Sequence, residues 1–90
     1  MSTAVDVTVT GRVQGVSFRW YAVQEANRLG VTGWVRNEPD GSVAGHFEGD
    51  PAAVEEMVDW CREGPRPAQV QRVVRRDGAV TGATSFEVRY

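Results

Sequence analysis

Val5-Asp6-Val7-Thr8-Val9-Thr10-Gly11-Arg12-Val13-Gln14-Gly15-Val16-Ser17-Phe18-Arg19 changes its repeat partway along, and that change sets the fold. Val5, Val7 and Val9 alternate with Asp6, Thr8 and Thr10, which predicts a half-buried strand over Ala4–Thr10. From Phe18 the apolar positions fall at Phe18, Ala22, Ala26 and Leu29, one stripe of a helix running to Leu29, with Gly30 placed to end it. Gly11–Ser17 is therefore a glycine-bracketed loop between a strand and a helix. Ser17 stands at the N-cap position. Such a loop forms an anion cup: the glycines let the backbone curl, successive N–H groups point inward, and the helix terminus adds partial positive charge. Arg19 would close the cup. A cation is out of place in the first turn of a helix unless an anion sits beside it, so its position argues for a ligand rather than for a surface role.

The rest of the chain alternates in the same manner. Val31–Asn37 reads as a second strand, Glu38-Pro39-Asp40-Gly41 as a turn in which proline presets φ, and Ser42–Glu48 as a third strand paired with the second. Asp50 caps a second helix that has Pro51 at its first position, with Val54, Met57, Val58 and Cys61 on its inner face and Gly64-Pro65 at its end. Gln69–Arg75 is a fourth strand, and Phe86, Val88 and Tyr90 alternate in a short closing one. Residues 76–84 form the loosest stretch. The order β-α-β-β-α-β predicts an α+β, ferredoxin-like sandwich, an antiparallel sheet with two helices on one face. Ninety residues are expected to form one domain over 1–90, with a core that buries roughly two-thirds of the unfolded surface.

Composition excludes several classes of function. A formal net charge of −2 gives no general attraction to nucleic acid. Gly15-Val16-Ser17-Phe18 loosely resembles part of an RNA-recognition signature, but it lies in a loop rather than on a central strand. All ten basic residues are arginine, a feature that coding bias explains well, and no lysine is present to form a Schiff base. One cysteine, Cys61, permits no internal disulfide, and with a single histidine, His46, no metal site of ligand spacing can be written. His46 is expected to be an ordinary surface or hydrogen-bonded histidine, and Cys61 a buried small hydrophobe. The N-terminus carries no signal-peptide pattern and no stretch is apolar enough to span a membrane, so a cytoplasmic protein is expected. Nothing demands more than a monomer.

Two features remain, the loop Gln14-Gly15-Val16-Ser17-Phe18 with Arg19, and Asn37 at the end of the second strand. Asn37 alone reads equally well as a turn residue. Together G-R-V-Q-G-V-S-F-R and, one helix later, L-G-V-T-G-W-V-R-N-E-P-D-G-S-V resemble the acylphosphatase family over essentially the whole chain, and the closing F-E-V-R-Y matches as well. The resemblance implies hydrolysis of acyl phosphates to a carboxylate and inorganic phosphate, with Arg19 and Asn37 as catalytic residues, Gln14–Phe18 binding the substrate, and no metal or other cofactor. The partner it implies is a small-molecule acyl phosphate, not a nucleic acid or a membrane. A second reading is a binding or accessory module that keeps the phosphate cup without turnover, since domains like these also occur inside larger carbamoyl-phosphate-handling proteins.

Overall fold

The computed structural model describes residues 2–90 and contains β1 (Thr3–Arg12), α1 (Phe18–Leu29), β2 (Thr32–Asn37), β3 (Val43–Gly49), α2 (Pro51–Glu63), β4 (Gln69–Asp77) and β5 (Phe86–Arg89). The strands form one sheet in the order β4-β1-β3-β2-β5. Both helices pack on one face, where Val5, Val7 and Val9 of β1 meet Val43 and Phe47 of β3, Val35 of β2, and Ala22, Ala26, Val54, Met57, Val58 and Cys61 of the helices. The fold is the ferredoxin-like sandwich read from the sequence. β1, β2, β3 and β4 pair antiparallel, but β5 lies parallel to β2, with Gly33 opposite Phe86. The sheet is thus not antiparallel throughout: β4 ends at the edge of the molecule where β2 begins, and residues 78–85 carry the chain across that end, so β5 must run in the same direction as β2.

Two local expectations change. Gly11 belongs to β1 rather than to the loop: it pairs with Val70 across a register shift between Thr10 and Gly11. A Cβ there would come within 2.2 Å of the Gln69 carbonyl oxygen, so only glycine lets β4 approach this closely. The stretch expected to be loosest is also tied down. Arg76 and Asp77 extend β4, and Gly78 N–H donates to the Ala4 carbonyl. Thr81 N–H and Gly82 N–H donate to the Glu48 carboxylate at 3.1 Å each, and the Thr81 hydroxyl donates to the same group.

Glu48 is the centre of a buried polar cluster on the face the helices leave open. His46 Nδ1 lies 2.6 Å from Asp6 Oδ1 and its Nε2 2.6 Å from Glu48 Oε2, so both ring nitrogens face carboxylates, an arrangement that suits the protonated ring, which donates from both. The Trp34 ring stacks over the imidazole, 6.1 Å between centroids and 19° between planes. Burial opposes charge on His46, but the hydrogen bonds to Asp6 and Glu48 win and raise its pKa above 6.5. Burial likewise opposes charge on Glu48, and the bonds from Thr81, His46 and Gly82 outweigh it, lowering its pKa to about 2.

These shifts have opposite signs in pH. Glu48 contributes stability above its unfolded value near 4.5 and loses it as pH falls toward 2; His46 contributes stability below 6.5 and loses it as pH rises through its raised value. Urea unfolding across pH should therefore show stability falling off on both sides of a window near pH 5–6. Glu48→Gln should flatten the acid limb, and an acid limb unchanged by that substitution would contradict the assignment.

Candidate active site

The loop between β1 and α1 builds the site. Val13 is buried at its start and Phe18 at its end, where the Phe18 ring packs 5.3 Å from Trp60. The backbone between these two anchors must make a tight curl. Gly15 takes φ 73° and Ser17 takes φ 62°, ψ 23°, the single non-glycine residue with positive φ among the described residues. Left-handed residues spaced in this way turn successive N–H groups toward one point, the geometry of an anion-binding nest. A left-handed serine is strained by about 1 kcal/mol or more, and strain of this kind concentrates at functional loops.

Ser17 occupies the N-cap position but does not cap. Its hydroxyl makes no hydrogen bond to the first turn. A capping side chain needs extended backbone at the N-cap to reach back over N2 and N3, and the left-handed conformation swings it away. The first helical hydrogen bond runs from Tyr21 N–H to the Ser17 carbonyl, so the N–H groups of Phe18, Arg19 and Trp20 have no acceptor within the helix. They open toward the loop, with the positive end of the helix dipole behind them.

Gln14 has a role that its sequence position did not reveal. Its side-chain amide donates to the carbonyls of Glu38 and Ser42, 2.8 Å each, joining the loop to the hairpin turn that follows Asn37. The turn is itself fixed: Glu38 N–H donates to the Ser42 carbonyl, and Asp40 accepts from the Ser42 N–H and hydroxyl. A glutamine in a glycine-rich loop looks like any surface polar residue, and only the fold shows what it reaches.

Arg19 and Asn37, far apart in sequence, line one cavity of about 740 Å³ together with Gly15, Ser17 and Phe18. Gln14 and Val16 lie outside the lining. The Gln14 amide is used in the hairpin contact, and Val16 packs against the core. Among the predicted site residues, then, Gly15, Ser17, Phe18, Arg19 and Asn37 line one space, while Gln14 and Val16 lie in the same loop beside it, the Gln14 side chain turned to the hairpin. The Arg19 guanidinium has no carboxylate partner among the described residues and lies 5.1 Å over the Tyr90 ring. Tyr90, Val88 and Phe86 of the last strand and its end form the opposite wall. The buried Cys61 thiol has no part in the site, and burial pushes its pKa up to about 12. No group of three or more His, Cys, Asp or Glu among the described residues is arranged to hold a metal ion, and no helix is long and apolar enough to cross a membrane. The arrangement can hold a tetrahedral oxyanion on backbone N–H groups and one guanidinium, with a neutral carboxamide at its edge.

Comparison with known proteins points the same way. The acylphosphatase family model matches residues 5–88. An acylphosphatase from Nocardioides sp. is 67% identical over 89 residues, covering 99% of this chain and 90% of that protein. Among solved structures, an acylphosphatase from Bacillus subtilis superposes with a TM-score of 0.94 at 31% identity, covering 100% of both chains. One from Coxiella burnetii superposes with a TM-score of 0.93 at 36% identity, covering 98% of this chain and 93% of that one.

The uncapped, left-handed Ser17 makes a prediction about stability. Ser17→Gly should raise the unfolding free energy by about 0.5–1 kcal/mol by relieving φ strain, and Ser17→Ala should change it by less than about 0.5 kcal/mol, since no cap is lost. Urea denaturation measures both. A loss near 1 kcal/mol in Ser17→Ala would mean that the hydroxyl caps the helix after all.

Proposed function

The chain belongs to the acylphosphatase family of enzymes, which hydrolyse acyl phosphates, and we propose that it does so without a metal, holding the phosphoryl group on the Gly15–Arg19 backbone and the Arg19 guanidinium while Asn37 aims the attacking water. The observation that carries this reading is the shared cavity of Arg19 and Asn37, the first inside the opening turn of α1 and the second at the end of β2.

Each role follows from the chemistry of the group held. A transferring phosphoryl group spreads its charge over three oxygens, and its transfer is catalysed mainly by positioning and electrostatics. The N–H groups of the loop take part of that charge. The arginine fork grips two oxygens at once, which a lysine ammonium cannot do. Asn37 does not take up a proton near neutral pH, so it orients water by hydrogen bonding rather than as a base. Water attacks phosphorus, the bond from phosphorus to the acyl oxygen breaks, and the bond electrons leave with the carboxylate. The water proton passes to a phosphoryl oxygen of the substrate, giving inorganic phosphate. Because a carboxylate is a weakly basic leaving group, no general acid is needed. Phosphate monoesters, whose alkoxides are strong bases, should therefore be poor substrates.

The reading is tested by phosphate release from benzoyl phosphate in excess chelator. Turnover should persist. Arg19→Ala should lose on the order of 10³-fold in rate, the effect of removing an arginine from a phosphoryl-transfer transition state. Asn37→Ala should lower kcat far more than it weakens inhibition by inorganic phosphate. Activity abolished by chelator, or retained in both variants, would contradict the mechanism. Protection against unfolding by phosphate with no turnover would instead support the binding-module reading.

A further inference from the structure

The segment between β4 and β5 carries no charged residue, and its first half is held by little. Ala79 and Val80 are exposed, and among the described residues the backbone of 78–80 makes one hydrogen bond, from Gly78 N–H to the Ala4 carbonyl at 3.0 Å. The second half is fastened to Glu48 through Thr81 and Gly82, and to β2 through the Ser85 carbonyl, which accepts from Gly33 N–H. What lies against the loose half is the Asp6 carboxylate: a Cβ added at Gly78 would come within 3.0 Å of Asp6 Oδ2. The other oxygen, Oδ1, is the one 2.6 Å from His46 Nδ1.

Asp6 sits between two cations. β1 lies between β3 and β4, and Asp6 is directly opposite His46 on one side and Arg76 on the other, so all three share the face without helices. Arg76 has no carboxylate partner among the described residues. The other charges around the imidazole are Glu48 on β3 itself, Arg36 of β2 and Arg89 of β5 over the Trp34 ring, and Glu87 opposite Trp34. A neutral imidazole keeps one N–H. Glu48 is 4% exposed and has no water to replace that donor, whereas Asp6 is 41% exposed, so the proton kept is on Nε2 and the proton lost is on Nδ1. Asp6 Oδ1 then faces a lone pair at 2.6 Å, and Arg76 offers it a charged partner. We propose that residues 78–80 form a flap switched by one proton: it is shut while His46 Nδ1–H holds Asp6 against Gly78, and it opens about Thr81 when that proton is lost and Asp6 turns to Arg76. Burial disfavours the charged imidazole, but the two carboxylates outweigh it, so the change falls above pH 6.5. The pins at Glu48 and Ser85 stop the opening short of β5, so the cavity wall keeps its place. The flap does not depend on the hydrolytic reading.

Amide hydrogen exchange of the full chain, followed by NMR from about pH 5 to about pH 9 and corrected for the intrinsic rate at each pH, tests the flap. The His46 ring protons give the midpoint of its titration in the same samples. Protection at Gly78 should fall about tenfold relative to protection at Thr81 and Gly82, the lower end of what a hydrogen bond to a charged group is worth, and with the His46 midpoint. Arg76→Gln, at an exposed position, removes the second partner and a nearby positive charge, and should move both midpoints upward together. In Asp6→Asn the side-chain amide can offer Nδ1 either its oxygen or its N–H, so the His46 midpoint should fall while protection at Gly78 stays constant. Four results would overturn the flap. They are constant protection at Gly78 through the His46 titration of the unsubstituted chain, an equal fall at Thr81 and Gly82, a fall at Gly78 that persists in Asp6→Asn, and a Gly78 midpoint that departs from the His46 midpoint in Arg76→Gln.

Discussion

One side chain holds the two halves of the site at a fixed separation. The Gln14 amide donates both its protons to carbonyls of the β2–β3 turn, so the loop that carries the N–H groups cannot move independently of the strand end that carries Asn37. Net hydrogen-bond energies are modest, about 1 kcal/mol each, so the bonds add little to global stability. Their importance is geometric. Positioning accounts for much of the catalysis in the proposed mechanism, and a displacement near 1 Å between the phosphoryl group and the water would be felt in the rate. The proposed mechanism therefore depends on a residue that touches neither.

Around that contact the fold supplies rigid supports. Val13 and Phe18 anchor the loop in the core on either side of the strained Ser17, so that the left-handed conformation is imposed from both ends. The hairpin turn is closed by its own backbone and by Asp40. On the far face, Glu48 of the His46, Asp6 and Glu48 cluster ties down Thr81 and Gly82 in the segment that leads into β5. β5 in turn forms one wall of the cavity, so the polar cluster and the site are joined through the same strand.

The elements were legible in the sequence because local chemistry and tertiary packing agree in them. The alternation of Val5, Val7 and Val9, the cap pair Asp50 and Pro51, and the positions of Gly30 and Gly64 all appear in the structure within a residue or two of where they were read. The misreadings have a common cause, which is that the decisive contact was distant in sequence. Gly11 is required by the approach of Gln69, not by a turn. Residues 81 and 82 look loose until Glu48 is placed beneath them. Gln14 carries no local signal at all. Ser17 has the residue type of a cap, and its left-handed backbone removes that role. The parallel pairing of β5 was likewise invisible, since strand direction is a property of the path between elements.

The proposed mechanism requires one anion to be held by the loop and to face Asn37. It is tested most directly by titrating the ¹⁵N-labelled chain with inorganic phosphate and following each amide by NMR. Saturable shifts are expected at the backbone amides of residues 15–20, at the Asn37 carboxamide and at the Arg19 guanidinium, with a single dissociation constant that matches inhibition of turnover. Shifts confined to Trp34, Arg36 and Arg89 on the opposite face of the sheet, with the loop unmoved, would contradict it.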